Sequence, residues 1–144
     1  MNKKPTDMFG SKRSKRAEKI HHPVLGDLLP ADGEWWETTL AINGAPVGFK
    51  IGGLEPDAVL LEHACDIVRS FTQFEKMIVT FLANEASRLP GAADEIHQLV
   101  IEDVMLCWPE RPDDGMIFFH GPDQSRCWRC DYVGRKPRGL GFDS

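Results

Sequence analysis

The chain has 144 residues, 42% hydrophobic and 27% charged, the proportions of an ordinary globular domain with one core. This excludes a wholly disordered or fibrous chain, and no run of about 18 apolar residues offers a membrane-spanning helix. The net charge of −5 is the sum of three unlike blocks.

Residues 1 to 20 carry seven Lys/Arg against Asp7 and Glu18, a net of +5. The segment has few apolar residues and no sustained period, so it buries too little surface to offset its ordering entropy. It reads as a flexible basic tail. Lys12, Arg13, Lys15 and Arg16 are its candidate polyanion-binding residues, with nucleic acid as the partner they imply. No aromatic residues are interleaved for base stacking, which favours a solvated terminus. No apolar segment follows these basic residues, so they do not form a secretory signal. With four cysteines and no such signal, the chain reads as cytoplasmic.

Residues 21 to 144 read as a single domain. Residues 21 to 125 hold five Lys/Arg against eighteen acids, and residues 126 to 144 hold five against two. The acidic body repels nucleic acid and membrane surfaces and attracts basic partners. In chain order, HPVLGDLL suits an edge strand between Pro23 and Pro30. Glu34 to Ile42, EWWETTLAI, is rich in aromatic and β-branched residues and predicts a strand. Asn43-Gly44 predicts a tight hairpin turn, and VGFKI returns as the third strand.

The apolar period then lengthens. Leu60, Ala64, Ile67, Val68 and Phe71 recur at helical spacing, followed by Phe74, Ile78, Phe81 and Leu82. Pro56 suits a first helical turn and Asp57 complements its dipole. One helix over residues 56 to 88 would be about 50 Å long, too long for this domain. Thr72-Gln73-Phe74-Glu75 matches a capping box, so the pattern predicts two helices, or one kink, meeting near residues 70 to 73. A short helical turn is expected within residues 92 to 98. Leu99 to Trp108, Met116 to His120 and Arg126 to Tyr132 read as three further strands, and residues 134 to 144 as irregular. The expectation is an α+β domain: an antiparallel sheet of about six strands in β3-α(1–2)-β3 order, with helices packed on one face.

Candidate chemistry is sparse. Cys127 and Cys130 have half the spacing of a zinc site. Residues three apart on a strand face opposite sides, so structural thiols are expected and no metal or cofactor. His21 and His22 could meet His63 or His120 at a metal, but adjacent histidines at a segment start are more often exposed. Glu102 and Asp103 adjoin in a strand and are expected to face opposite sides, and paired acid catalysis would need convergence. No nucleophile elbow or phosphate loop is present, so no catalytic residue is assigned. Trp35 and Trp36, adjacent on a strand, should face opposite sides. They are the candidate partner-binding residues, since aromatics dominate interface hot spots. Trp128 is assigned to the core beside the Phe71, Phe74 and Phe81 stripe.

The segments HPVLGDL, EWWE, GPDQSRCWRCDY and GLGFDS resemble small bacterial domains of unknown function. Those open with a His-Pro-x-x-Gly-x-Leu strand and continue with a Trp-bearing strand, a helical middle and a Trp-bearing closing hairpin. The resemblance covers residues 21 to 144. It implies kinship with immunity proteins, which neutralise a toxin by binding it, and it carries no catalytic residues over. The leading expectation is therefore a non-enzymatic protein-binding domain. The rivals are an enzyme with an unrecognised site and a nucleic-acid-associated protein using its basic ends.

Overall fold

The computed structural model describes residues 18–143. Most of the basic tail, including Lys12, Arg13, Lys15 and Arg16, lies outside the described residues. The chain is α+β. Four strands come first: β1 (Ile20–His22), β2 (Gly26–Ala31), β3 (Trp35–Ile42) and β4 (Ala45–Gly52). Two helices follow, α1 (Ala58–Arg69) and α2 (Phe71–Arg88), then a 3₁₀ turn (Pro90–Ala92) and the short α3 (Ala93–Ile96). Four more strands close the chain: β5 (Val100–Leu106), β6 (Gly115–His120), β7 (Cys127–Val133) and β8 (Lys136–Asp143). Among the described residues the sheet has eight strands in sequential order, against the expected six or so.

Two local features account for the extra strands. HPVLGDLL is not one strand, because the chain turns after His22. The His22 ring nitrogen Nδ1 accepts the backbone N–H groups of Val24 and Leu25 at 3.1 and 3.2 Å. This drops Leu25 into the core with no exposure. Residues 136 to 143 are not irregular, because Gly134 and Arg135 adopt φ of 58° and 65°, a two-residue turn that sends β8 back along β7. Arg135 is held in this conformation by Asp113: its backbone N–H donates to the Asp113 carbonyl at 2.8 Å and its Nε to the carboxylate at 3.1 Å.

The β3–β4 hairpin turns on Asn43 (φ 53°) and Gly44 (φ 83°), as Asn-Gly predicts. All strand pairs are antiparallel except β4–β5, which is parallel. The wholly antiparallel expectation is corrected there, since a helical crossover over one face returns the chain to the end where β4 began.

Asp57 caps α1, its carboxylate accepting the N–H groups of Val59 and Leu60 at 2.9 and 3.0 Å. The predicted break falls at a single residue, Ser70, whose hydroxyl donates to the Asp66 carbonyl at 2.8 Å. The capping box at Thr72 and Glu75 is not the device used, because α2 already begins at Phe71. Leu60, Ala64, Cys65 and Ile67 of α1 and Phe71, Phe74, Ile78, Leu82 and Ala86 of α2 face one side of the sheet. They meet Trp36, Val47, Phe49 and Ile51 from the first four strands and Val104, Leu106, Ile117, Phe119, Trp128, Cys130 and Tyr132 from the last four. Trp128 is 2% exposed, as expected, although the aromatic ring against it is Phe142, 4.8 Å away. Trp108 lies beyond the end of β5 rather than in a strand, with the Arg111 guanidinium 4.5 Å over its ring. Among the described residues no helix is long and apolar enough to cross a membrane.

Candidate interaction face

Because strand side chains alternate, core residues have strand neighbours aimed at the opposite face, and among the described residues no helix covers that face. The pairing registers set its composition. One row runs Leu29, Glu37, Lys50, Met105, Met116, Asp131 and Arg138, and the next Thr39, Gly48, Asp103, Phe118, Arg129 and Gly141. Trp35 lies beyond the first row, paired with Ala31 and Gly52. Trp35, Met105, Met116 and Phe118 are half-buried, and Leu29 is exposed. A groove of about 510 Å³ crosses this face between Trp35, Glu37, Lys50 and Met105, closed on one side by Pro30 and Asp32.

The two candidate tryptophans separate as alternation requires. Trp36 is fully buried, with its Nε1 donating to the Leu54 carbonyl at 3.1 Å. Trp35 is the member of the pair on the open face. Cys127 and Cys130 also separate: Cys127 is exposed and Cys130 fully buried. Burial, and secondarily the charge of Asp131, pushes the Cys130 thiol up to about 12.

The regular alternation on which Glu102 and Asp103 are expected to face opposite sides is interrupted at this point of β5. The β5–β6 register shifts between Ile101 and Asp103. This β-bulge places one extra residue on β5. Ile101 and Val104 keep contact with the core, and neither acid enters it. Asp103 lies across Gly48, where an added Cβ would fall within its carboxylate. Only glycine leaves that space. Burial, reinforced by Glu102 and Glu37 and opposed by Lys50, raises the Asp103 carboxyl above its ordinary value of 3.8. A raised carboxyl favours the fold while both states are protonated and loses that contribution as pH rises through its folded value. Asp103→Asn is therefore expected to raise the thermal midpoint at neutral pH and to leave it unchanged below pH 3.8, measured by calorimetry across that range.

A polar cleft of about 400 Å³ lies at the end of the sheet, lined by Glu102, His120, Asp123, Gln124, Arg126 and Cys127. Sequence reasoning missed it, because the bulge at Glu102 and the turn after His120 bring its members together. Hairpin pairing in β6–β7 was the available signal, since Phe119 pairs with Trp128 and the next residues are His120 and Cys127. The other histidines are dispersed. His21 pairs with Asp27 at 3.0 Å, the His22 Nε2 sits 3.9 Å from the Cys65 sulfur, and the His63 Nδ1 accepts from Arg135 at 2.8 Å. Among the described residues no group of three or more metal-ligating side chains converges. No protein family, curated protein or solved structure matches the chain.

Proposed function

We propose that the chain is a non-catalytic, protein-binding domain of the immunity kind, a cytoplasmic bacterial protein that neutralises a partner by holding it on the uncovered sheet face. The observation that carries this reading is the composition of that face. Trp35, Met105, Met116 and Phe118 stand half-buried amid Glu37, Lys50, Asp103, Arg129 and Asp131. Tryptophan, phenylalanine, methionine and arginine are the residues enriched in protein interfaces. These side chains stand on and beside two rows that cross the strands from β2 to β8, an extent suited to another protein. The eighteen acids and five bases of residues 21 to 125 favour a basic partner, which that field would steer toward the chain.

Trp35→Ala and Phe118→Ala test the reading. Each is expected to weaken partner binding by at least about 2 kcal/mol, the threshold of an interface hot spot, while the thermal midpoint stays within a few degrees of the parent. The measurement is affinity capture from the source cell, followed by titration of the recovered protein. A partner that binds both variants as tightly as the parent overturns the sheet-face assignment. A recovered partner that is toxic when produced alone supports the immunity reading.

The polar cleft favours one other reading. A thiol, an imidazole, two carboxylates and a guanidinium around one cavity are the materials of an enzyme site. Loss of function confined to variants of Cys127 and His120, with partner capture intact, would select it.

A further inference from the structure

The charges of the open sheet face are divided along the strand order. Asp32, Glu37 and Asp103 stand at its β2–β5 end. Lys50 lies across from Glu37 in the β3–β4 register and also acts on Asp103, so a single ammonium answers three carboxylates. Among the described residues neither Asp32 nor Glu37 belongs to an ion pair. Arg129 and Arg138 stand at the other end of the face, the first paired with Asp143 at 3.2 Å and the second across from Asp131. The groove of about 510 Å³ between Trp35, Glu37, Lys50 and Met105 is therefore the acidic end, with an indole as one wall. The chain enters the described structure beside it. β1 runs antiparallel to β2, with His22 across from Gly26 and Ile20 across from Leu28. Followed backwards from Ile20, the chain heads past Leu29 toward Pro30, Ala31 and Asp32, which line the groove on its outer side.

We infer that the basic run Lys12-Arg13-Ser14-Lys15-Arg16 of this same chain docks in the Trp35 groove, as a built-in cover that a basic partner has to displace. The run lies before the first described residue, Glu18, and its reach is sufficient. Arg16 is four residues before Ile20 and Lys12 eight, so at about 3.3 Å per residue they extend roughly 13 and 26 Å from β1. From β2 to β5 the groove crosses three strand spacings, roughly 14 Å. Charge complementarity favours the same seat. Residues 1 to 17 hold six Lys/Arg against Asp7, and the run itself contains no acid. Several acids elsewhere already have an internal cation, such as Glu85 with Arg88 and Glu95 with Arg126. Trp35 adds a second attraction, because a guanidinium over an indole face is favourable, and the run supplies Arg13 and Arg16. Individual surface ion pairs are weak. A segment tethered this closely nevertheless acts at an effective concentration on the order of millimolar, so weak contacts suffice. The docking itself requires no partner. The run presents the chemistry of a basic partner and competes with it for Asp32 and Glu37.

The test is zero-length carbodiimide crosslinking of the full chain, which joins an amine to a carboxylate where the two meet, followed by peptide mass spectrometry of the monomer band. Lys12 or Lys15 is expected to join Asp32 or Glu37. The Lys19–Asp27 pair, 3.8 Å apart, is the internal control of the reaction. The crosslinks from the run should weaken on the order of tenfold between about 0.1 and about 1 M salt, as the screening length falls from about 10 to about 3 Å. Amide NMR spectra give a second measurement without a reagent. Reversing the run in one variant (Lys12→Glu, Arg13→Glu, Lys15→Glu and Arg16→Glu) should shift the signals of Asp32, Glu37, Lys50 and Met105. The signals of the helices should stay in place, which also verifies the fold. Control crosslinks without any from the run, crosslinks spread over acids of the helices, crosslinks indifferent to salt, or open-face signals unmoved by the reversal would each overturn the assignment. Crosslinks from the run found only in a dimer band would also overturn it, by giving the run to the face of a second copy. Neither measurement involves a partner, so their failure leaves the sheet-face reading to its own test, and failure of partner capture leaves both of them unaffected.

Discussion

Trp128→Ala is expected to destabilise the domain by about 3–5 kcal/mol, the usual cost of truncating a fully packed large aromatic. Three losses combine. The indole is 2% exposed, so its removal leaves a cavity in the layer between β7 and the helices. Its stacking on Phe142 at 4.8 Å disappears, which loosens the end of β8. Its Nε1 donor to Glu95 at 2.7 Å is also lost, leaving a carboxylate 15% exposed with Arg126 as its remaining ion-pair partner. Against a typical total stability of about 5–15 kcal/mol, the variant should be largely unfolded near body temperature. Urea titration followed by far-UV circular dichroism measures the difference. Trp35→Ala is the comparison, since the same truncation on the half-exposed face removes far less packed surface. A cost below about 1 kcal/mol for Trp128→Ala, the centre of the distribution for point substitutions generally, would contradict the core assignment.

Raising the pH from 9 toward 12 is expected to unfold the protein, through two groups facing the same core. In the unfolded chain the Cys130 thiol titrates near its ordinary value of 9.0, and in the fold burial holds it protonated to about 12. Below pH 9 both states carry the proton and the contribution to stability is whole. Between those values the unfolded state releases the proton first, so stability falls with pH, and the loss is complete above the folded value. At 1.36 kcal/mol for each unit of difference, Cys130 alone accounts for up to about 4 kcal/mol. Tyr132 acts in the same direction: burial first, then the neighbouring Cys107, holds its hydroxyl above the ordinary 10.0. That hydroxyl is buried and has no hydrogen-bond partner among the described residues, and the Arg135 charge only partly offsets the cost of ionising it. Denaturant midpoints at successive pH values should decline from pH 9 upward in the parent, and Cys130→Ala should flatten the early part of the decline. Tyr132→Phe should be neutral or stabilising at pH 7, because it removes an unsatisfied buried group. A parent midpoint constant from pH 9 to 12 would contradict both assignments.

Elements whose signal is local were legible in the sequence. Asn43-Gly44 specified its hairpin because few residue pairs tolerate two consecutive positive φ angles. The spacing of Leu60, Ala64, Ile67, Phe71, Phe74 and Ile78 specified helices because a helix presents one face at that period. Alternation separated Trp35 from Trp36 and Cys127 from Cys130, since successive strand residues cannot share a face.

What the sequence left open depended on groups distant along the chain. Arg135 takes up a left-handed turn because Asp113 receives it, and without that turn residues 136 to 143 read as irregular. The bulge at Glu102 arises from how β5 pairs with β6, and it moves one acid into a cleft and leaves its neighbour over Gly48. β4 and β5 are parallel because the intervening helices cross a single face. The open sheet face and the polar cleft are therefore products of tertiary structure. Local periodicity determines which face of each element is apolar, and only the packing of the elements decides which of those faces remain uncovered.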